Sequence, residues 1–391
     1  MRVIGLMSGT SFDAIDAAAA DLTLDDDVIT LTPLGVLSRP YPAHLRDAIG
    51  AALPPGPTTV EQVCRLDTLI GQAFAALAGE ADEQLCGGAA DLVVSHGQTV
   101  FHWVDAGRVK GTLQLGQPAW IAEHTGLTVV ADLRARDIAA GGQGAPLVSL
   151  FDLLWLGSRP GTPVALNLGG IANITVASRE RDPVAFDTGP ANALIDAAVA
   201  RSTDGRSRYD AEGATAARGQ VDTRLLDRLL DEPYYAAAAP KSTGKELFSL
   251  PYLLNALDDG EPRRHEDVVA TLTALTARTV ADAVARSAGT EVIAAGGGTS
   301  NPVLMSMLAT ALGGTPLTTT AELGVPPTAK EAYAFATLGF LSVHGLAGTV
   351  ASCTGARRPT VLGSVTPGLR ALPLSPGPPG GVTRLHVEAR P

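Results

Sequence analysis

The sequence predicts an α/β protein built from two duplicated lobes. Apolar runs of strand length alternate with longer helical stretches along most of the chain. A strand, a Gly-rich turn and two more strands occur twice, once around Gly9 and once around Gly170. The 391 residues are 46% hydrophobic but only 4% aromatic, so the core is filled mainly by Ala, Val and Leu. A chain of this length suits two domains with sizeable cores, and its apolar content excludes global disorder.

The first unit opens with predicted strands at 2–7, 15–22 and 28–37. Helical patterns follow at 43–53 and 59–85, separated by Pro54, Pro55 and Pro57. Strands at 91–95, 112–115 and 128–132 alternate with helices at 119–125 and 145–156. The second unit restarts with strands at 163–168, 172–177 and 184–186. Helices are expected at 191–201, 222–230, 250–257 and 266–287. A strand at 291–295 and helices at 302–312 and 328–344 complete it. This places an N-terminal lobe at 1–160, a C-terminal lobe at 161–358 and a Pro/Gly-rich tail at 359–391. A last short strand at 383–387 is expected to dock on the body.

Twenty-nine basic and 40 acidic residues give a net charge of −11. That argues against a general nucleic-acid binder. Cys64, Cys86 and Cys353 are odd in number and widely spaced, which fits a reducing cytoplasm and not a disulfide framework. No signal peptide or membrane span is expected, since the apolar runs are short or broken by charges.

Several turns carry candidate chemistry. Ser8-Gly9-Thr10-Ser11-Phe12-Asp13-Ala14-Ile15-Asp16 lies between two strands. Its backbone N–H groups and hydroxyls suit phosphate oxygens, and its acids suit a hydrated Mg²⁺. An ordinary hairpin is the plainer reading. Asn167-Leu168-Gly169-Gly170 occupies the equivalent turn of the second unit. Gly296-Gly297-Gly298 follows a strand and suits either an adenine ring or a plain strand-to-helix turn. Asp187 ends a strand, as a general base or as a helix cap. Polar clusters around His96, Gln98, Asp132, Arg134 and Gln143 suit a sugar with several hydroxyls. His96 and His102 lack a third ligand for zinc.

Together these motifs resemble the anhydro-N-acetylmuramic acid kinases of the actin/hexokinase/Hsp70 ATPase superfamily. The resemblance rests on Met7–Asp16, Ser95-His96-Gly97-Gln98-Thr99, Ala131-Asp132-Leu133-Arg134 and Ala139–Leu147. It continues through Asn167–Asn173, Phe186-Asp187-Thr188-Gly189-Pro190, Lys241-Ser242-Thr243-Gly244-Lys245-Glu246 and Ala329-Lys330-Glu331-Ala332. Ala14 departs from the family's usual Gly at that place. The resemblance implies two actin/hexokinase-like (ribonuclease H-like) lobes with an ATP and sugar cleft between them. It implies ATP and Mg²⁺ as cofactors, held at Gly9, Thr10, Ser11, Phe12, Asp13, Ala14, Ile15, Asp16, Gly169, Gly170, Gly297 and Gly298. His96, Gln98, Asp132, Arg134, Gln143 and Glu331 would line the sugar site, and Asp187 would be the catalytic base. The expected partner is a small amino sugar, with no nucleic acid or membrane, and apolar helices leave a homodimer open. A kinase for another amino sugar, or a nucleotide-dependent regulatory protein, are the competing readings.

Overall fold

A computed structural model describes residues 1–54, 56–105, 108–178, 182–239, 241–244, 247–258, 260–372 and 376–388. In chain order the strands and helices are β1 (Arg2–Ser8), β2 (Ala14–Asp25), β3 (Val28–Pro40), α1 (Ala43–Ala52), α2 (Val60–Ala81), β4 (Leu92–Asp105), β5 (Arg108–Leu115), α3 (Pro118–Thr125), β6 (Thr128–Ala131), α4 (Ala135–Ala139) and α5 (Ser149–Leu156). There follow β7 (Pro163–Leu168), β8 (Ile171–Val176), β9 (Val184–Pro190), α6 (Asn192–Ser202), α7 (Thr223–Leu230), α8 (Leu250–Leu257), α9 (His265–Arg286), β10 (Glu291–Ala295), α10 (Pro302–Ala311) and β11 (Leu317–Thr319). The chain ends with α11 (Lys330–Val343), α12 (Ala351–Thr354), β12 (Ser364–Thr366) and β13 (Arg384–Val387).

Two compact units result. One comprises Met1–Ser158 with Ala329–Pro391, the other Arg159–Thr328. Their sheets repeat one topology. In the first, the order β3-β2-β1-β4-β6 joins an antiparallel meander to two strands parallel to β1. In the second, β9-β8-β7-β10-β11 does the same. The duplicated α/β lobes expected from the strand pattern are therefore present. Strands β1, β7 and β10 end on the Gly-rich turns singled out by sequence and β6 ends just before Asp132; the carboxyl ends of parallel strands are the usual place for ligand sites in such sheets.

The C-terminal part departs from expectation. Residues 329–358, assigned by sequence to the second lobe, pack in the first unit. The reason lies in α11, a helix apolar on nearly every side and buried accordingly. It lies across β1 so closely that a Cβ on Gly5 would stand 2.1 Å from the Ala332 carbonyl oxygen. A Cβ on Gly339 would meet the Val94 side chain at 2.1 Å. Ala17, Ala18, Ala19 and Ala20 of β2 are fully buried, with Ala17 and Ala19 in the core formed with α1 and α2.

The expected tail is also part of that unit. β12 pairs antiparallel with β6 and β13 pairs parallel with β3, so the segment covers both edges of the first sheet. Strand β4 runs ten residues past its expected end and forms a hairpin with β5, whose turn lies outside the described residues. The helix expected from 145 begins at Ser149, after a cis Ala145–Pro146 bond. Helix α9 is long and apolar enough to cross a membrane, but it is mostly buried as the core helix of the second unit. Pro55, Lys245, Glu246 and Ser375, which the sequence reading singled out, lie outside the described residues.

Candidate active site

The first turn, Gly9–Asp13, is anchored from beneath. Phe12 adopts a left-handed backbone (φ 44°) and packs its ring onto the core by Gly50. Its N–H donates to the Gly9 carbonyl at 3.1 Å. Asp13 Oδ1 accepts from Ser11 Oγ at 2.8 Å and from the Ala14 N–H at 3.1 Å. Thr10, Ser11 and Asp13 remain exposed. Ile15 is buried in the core, so of the expected nucleotide contacts it has only its backbone to offer. Asp16 is half-buried, and burial together with the like charge of Asp13 pushes its carboxyl above the usual range.

Gln98 was expected to contact sugar; the structure instead buries it completely and saturates it. Its Oε1 accepts from Ser8 Oγ at 2.7 Å and from the Tyr41 hydroxyl at 3.3 Å. Its Nε2 donates to the carbonyls of Gly9 at 3.1 Å and Thr99 at 3.2 Å. An amide has two donors and one acceptor oxygen, so none of its capacity is left for a ligand. Gln98 holds the Gly9 turn from below.

The other polar residues of this unit gather around Arg134. Its Nε donates to His96 Nε2 at 2.9 Å and its Nη1 to the Gly144 carbonyl at 2.7 Å. Because Arg can only donate, His96 must carry its proton on Nδ1, which lies 2.8 Å from the Gly97 carbonyl. The ring packs on Phe335, 4.6 Å between centroids. Burial first, then the Arg134 charge, drive the His96 pKa down from 6.5 to about 3. The unfolded chain takes up this proton below its ordinary pKa; the folded chain refuses it until about pH 3. This site therefore subtracts stability as pH falls through that window. An NMR titration should find the His96 imidazole resonances unchanged above pH 5, and a midpoint near 6.5 would refute its neutral role.

Gln143 spends its Oε1 on the Val109 N–H at 3.1 Å, leaving its Nε2 without a partner among the described residues. Buried Asp137 shapes the loop beside it, accepting from the Gly144 N–H and Thr354 Oγ1, both at 2.8 Å. Asp132 is exposed at a left-handed φ of 55°. Glu331 sits on the first turn of α11. Burial raises its carboxyl, Lys330 and Arg134 lower it, and Asp152 and Asp16 raise it. Asp16, Arg134 and Glu331 are thus brought together, with His96 and Gln143 alongside.

In the second unit Asp187 lies in β9 opposite Asn173. Its Oδ2 accepts from the Thr243 N–H at 2.9 Å. Its own N–H donates to the Lys241 carbonyl at 3.0 Å, and its carbonyl accepts from the Tyr234 hydroxyl at 2.8 Å. Lys241 Nζ in turn donates to the Tyr234 carbonyl at 2.7 Å. Helix α6 begins only at Asn192, so Asp187 caps nothing. The loop holds the half-buried carboxylate through the Thr243 N–H, and Lys241 and Tyr234 fix the Asp187 backbone on either side of it. Sequence reasoning found the Lys241–Gly244 motif but not that it clamps Asp187.

The glycines divide cleanly. Asn192 Nδ2 and N–H hold the Gly169 carbonyl at 2.8 and 3.1 Å, while the N–H groups of Ala191 and Ala193 hold that of Gly170. A Cβ on Gly296 or Gly298 would strike Leu168, at 2.8 and 2.7 Å. Gly298, expected at the nucleotide, is thus accounted for by packing. Gly9, Gly169 and Gly297 have no such neighbour: a Cβ would meet at most atoms 3.5–3.9 Å away, and nothing at Gly297. Their glycine is not demanded by the fold, which is what close approach of a ligand requires.

A family model described as anhydro-N-acetylmuramic acid kinase matches residues 1–368. The chain belongs to the anhydro-N-acetylmuramic acid kinase family. It is similar to proteins of that name from Rhodococcus erythropolis (61% identity over 396 residues, the whole of both chains) and Streptomyces avermitilis (65% over 388 residues, 99% of this chain and 100% of the relative). A relative from Xanthomonas oryzae pv. oryzae is 43% identical over 371 residues, covering 93% and 97%. As a member of the anhydro-N-acetylmuramic acid kinase family the chain is a kinase. The family match includes β12 and ends before β13.

Proposed function

We propose that this kinase opens 1,6-anhydro-N-acetylmuramic acid with water and phosphorylates O6 with ATP, giving N-acetylmuramic acid 6-phosphate in cytoplasmic cell-wall recycling. The observation that carries the reading is the clamped, half-buried carboxylate of Asp187, which caps no helix.

Asp187 takes a proton from a water as the water oxygen bonds to the anomeric carbon. The bond from that carbon to O6 breaks, and O6 keeps the electron pair. O6 then attacks the γ-phosphorus in line and ADP leaves; Asp187 returns its proton to solvent. Because phosphoryl transfer captures O6 as it departs, no separate acid is needed. One carboxylate in reach of the water suffices for the base role. Phosphoryl transfer itself needs positioning and charge neutralisation. The open turns at Gly9 and Gly169 support that role for the phosphates.

The residues present fit a hydrated Mg²⁺ better than a protein cage. Among the described residues no group of three His, Cys, Asp or Glu side chains could hold a metal. Asp13, exposed with Oδ1 already bonded, would hold the ion, and Mg²⁺ characteristically completes its shell with water and phosphate. Bound there, it supplies neutralisation of phosphate charge. Arg134, with Nη2 uncommitted among the described residues, suits the lactyl carboxylate. The Gln143 Nε2 donor, Asp132 and Glu331 suit the N-acetyl and hydroxyl groups.

The test is mass spectrometry of products formed from the anhydro-sugar and ATP in ¹⁸O water, read before the hemiacetal exchanges. One ¹⁸O atom at C1 and none in the phosphate is expected. A sugar kinase acting only on a free 6-hydroxyl would leave the anhydro-sugar intact, and that outcome overturns the proposal.

A further inference from the structure

One feature of the first unit is costly and unused by the chemistry above. Lys330 Nζ and Asp152 Oδ1 form an ion pair at 2.9 Å, with side-chain exposures of 3% and 5%. Burying two ions costs several kcal/mol each, and apolar replacements of such pairs are often neutral or stabilising. The position adds to the cost. Lys330 is the first residue of α11, where the helix dipole disfavours a cation, and no side chain caps this end. Stability therefore does not account for the pair.

What the pair adjoins is Glu331, the next residue. We propose that the Lys330–Asp152 ion pair is a positioning device for Glu331: it pins the first turn of α11 to α5 and so fixes where the Glu331 carboxylate stands against the substrate. This rests on the reading of Glu331 as a sugar contact. The charged groups facing Glu331 are Lys330 on its own helix, Asp152 on α5, Asp16 on β2 and Arg134 before α4. His96, beside Arg134, is neutral. Lys330 and Arg134 favour the carboxylate; Asp152 and Asp16 oppose it. Removing one member of the pair must therefore move Glu331 in the opposite sense from removing the other.

The experiment is the acid limb of the kcat/KM pH profile for the full-length enzyme. Lys330→Met should move its midpoint up by about one pH unit, a loss of up to about tenfold on the acid side, and Asp152→Asn should move it down. Lys330→Arg keeps the charge and should leave the midpoint in place. The double variant K330M/D152N leaves no unpaired ion, should fold even if K330M does not, and should return the midpoint towards wild type. In an E331Q background only the other acids remain, and neither substitution should move the limb. If both single variants lose turnover with an unmoved midpoint, or shift it the same way, the pair is only structural and the proposal fails. If E331Q itself has wild-type kcat/KM, the reading of Glu331 as a substrate contact fails, and the proposal with it.

Discussion

Asp187→Asn should lower kcat by about 10²- to 10⁴-fold, the usual contribution of a positioned general base. The amide has the shape of the carboxylate, and its oxygen can still accept the Thr243 N–H that Oδ2 accepts at 2.9 Å. The backbone clamp from Lys241 and Tyr234 does not involve the side chain at all. Folding and the KM for ATP should therefore be nearly unchanged, which separates loss of the base from loss of the site. Steady-state kinetics with the anhydro-sugar decide the matter. Turnover within a few-fold of wild type would remove Asp187 from the mechanism, since an amide cannot take the proton.

The second large effect is on the fold. Gly5→Ala places a carbon 2.1 Å from the Ala332 carbonyl oxygen and 2.9 Å from the Ala336 nitrogen. Both are backbone atoms of α11, which cannot swing aside as a side chain would. The helix has to move, carrying Lys330, Glu331 and Phe335 with it. Overpacking of this kind costs about 1–3 kcal/mol, and rigid backbone partners put it at the upper end. At about 2–4 °C per kcal/mol the melting temperature should fall by several degrees. Gly9→Ala is the contrasting case, since its new carbon would meet only Ser11 Oγ at 3.9 Å. That variant should melt like wild type and bind ATP more weakly. Equal melting temperatures for the two, with unchanged ATP binding in the second, would sink the distinction between packing and ligand-facing glycines.

Much of this was legible in the sequence because local signals agreed. The repeated strand–turn–strand–strand pattern led to both sheets, and Gly-rich turns marked the ends of β1, β7 and β10. The allegiance of α11 was hidden, because a helix apolar all round carries no stripe that says which sheet it covers. β12 is three residues long and gains its hydrogen bonds from β6, far away in sequence. The outer half of β4 carries no strand signal in the sequence, because Phe101, Trp103 and Val104 stay exposed on the hairpin and show no in–out alternation. At the site, residue type showed that Gln98 mattered but not that core partners consume all its bonds. Nor could it separate Gly297, facing open space, from Gly298, pressed on Leu168. Such distinctions depend on neighbours that only the folded chain supplies.

The split of the first unit also governs how the chain matures on the ribosome. Residues Arg159–Thr328 form a unit from one continuous stretch, whereas its companion needs Ala329–Pro391 to supply α11 and both edge strands. Domains fold as units while synthesis proceeds, ordinarily N-terminal first. Here the inner unit is the first whose parts have all emerged. The opening strands wait, with β3 and β6 unpaired along their outer sides, until β13 and β12 have emerged to pair with them. Unpaired edges of that kind are where chains associate wrongly. The interval between the two closures is the period in which the nascent protein is most open to misassembly.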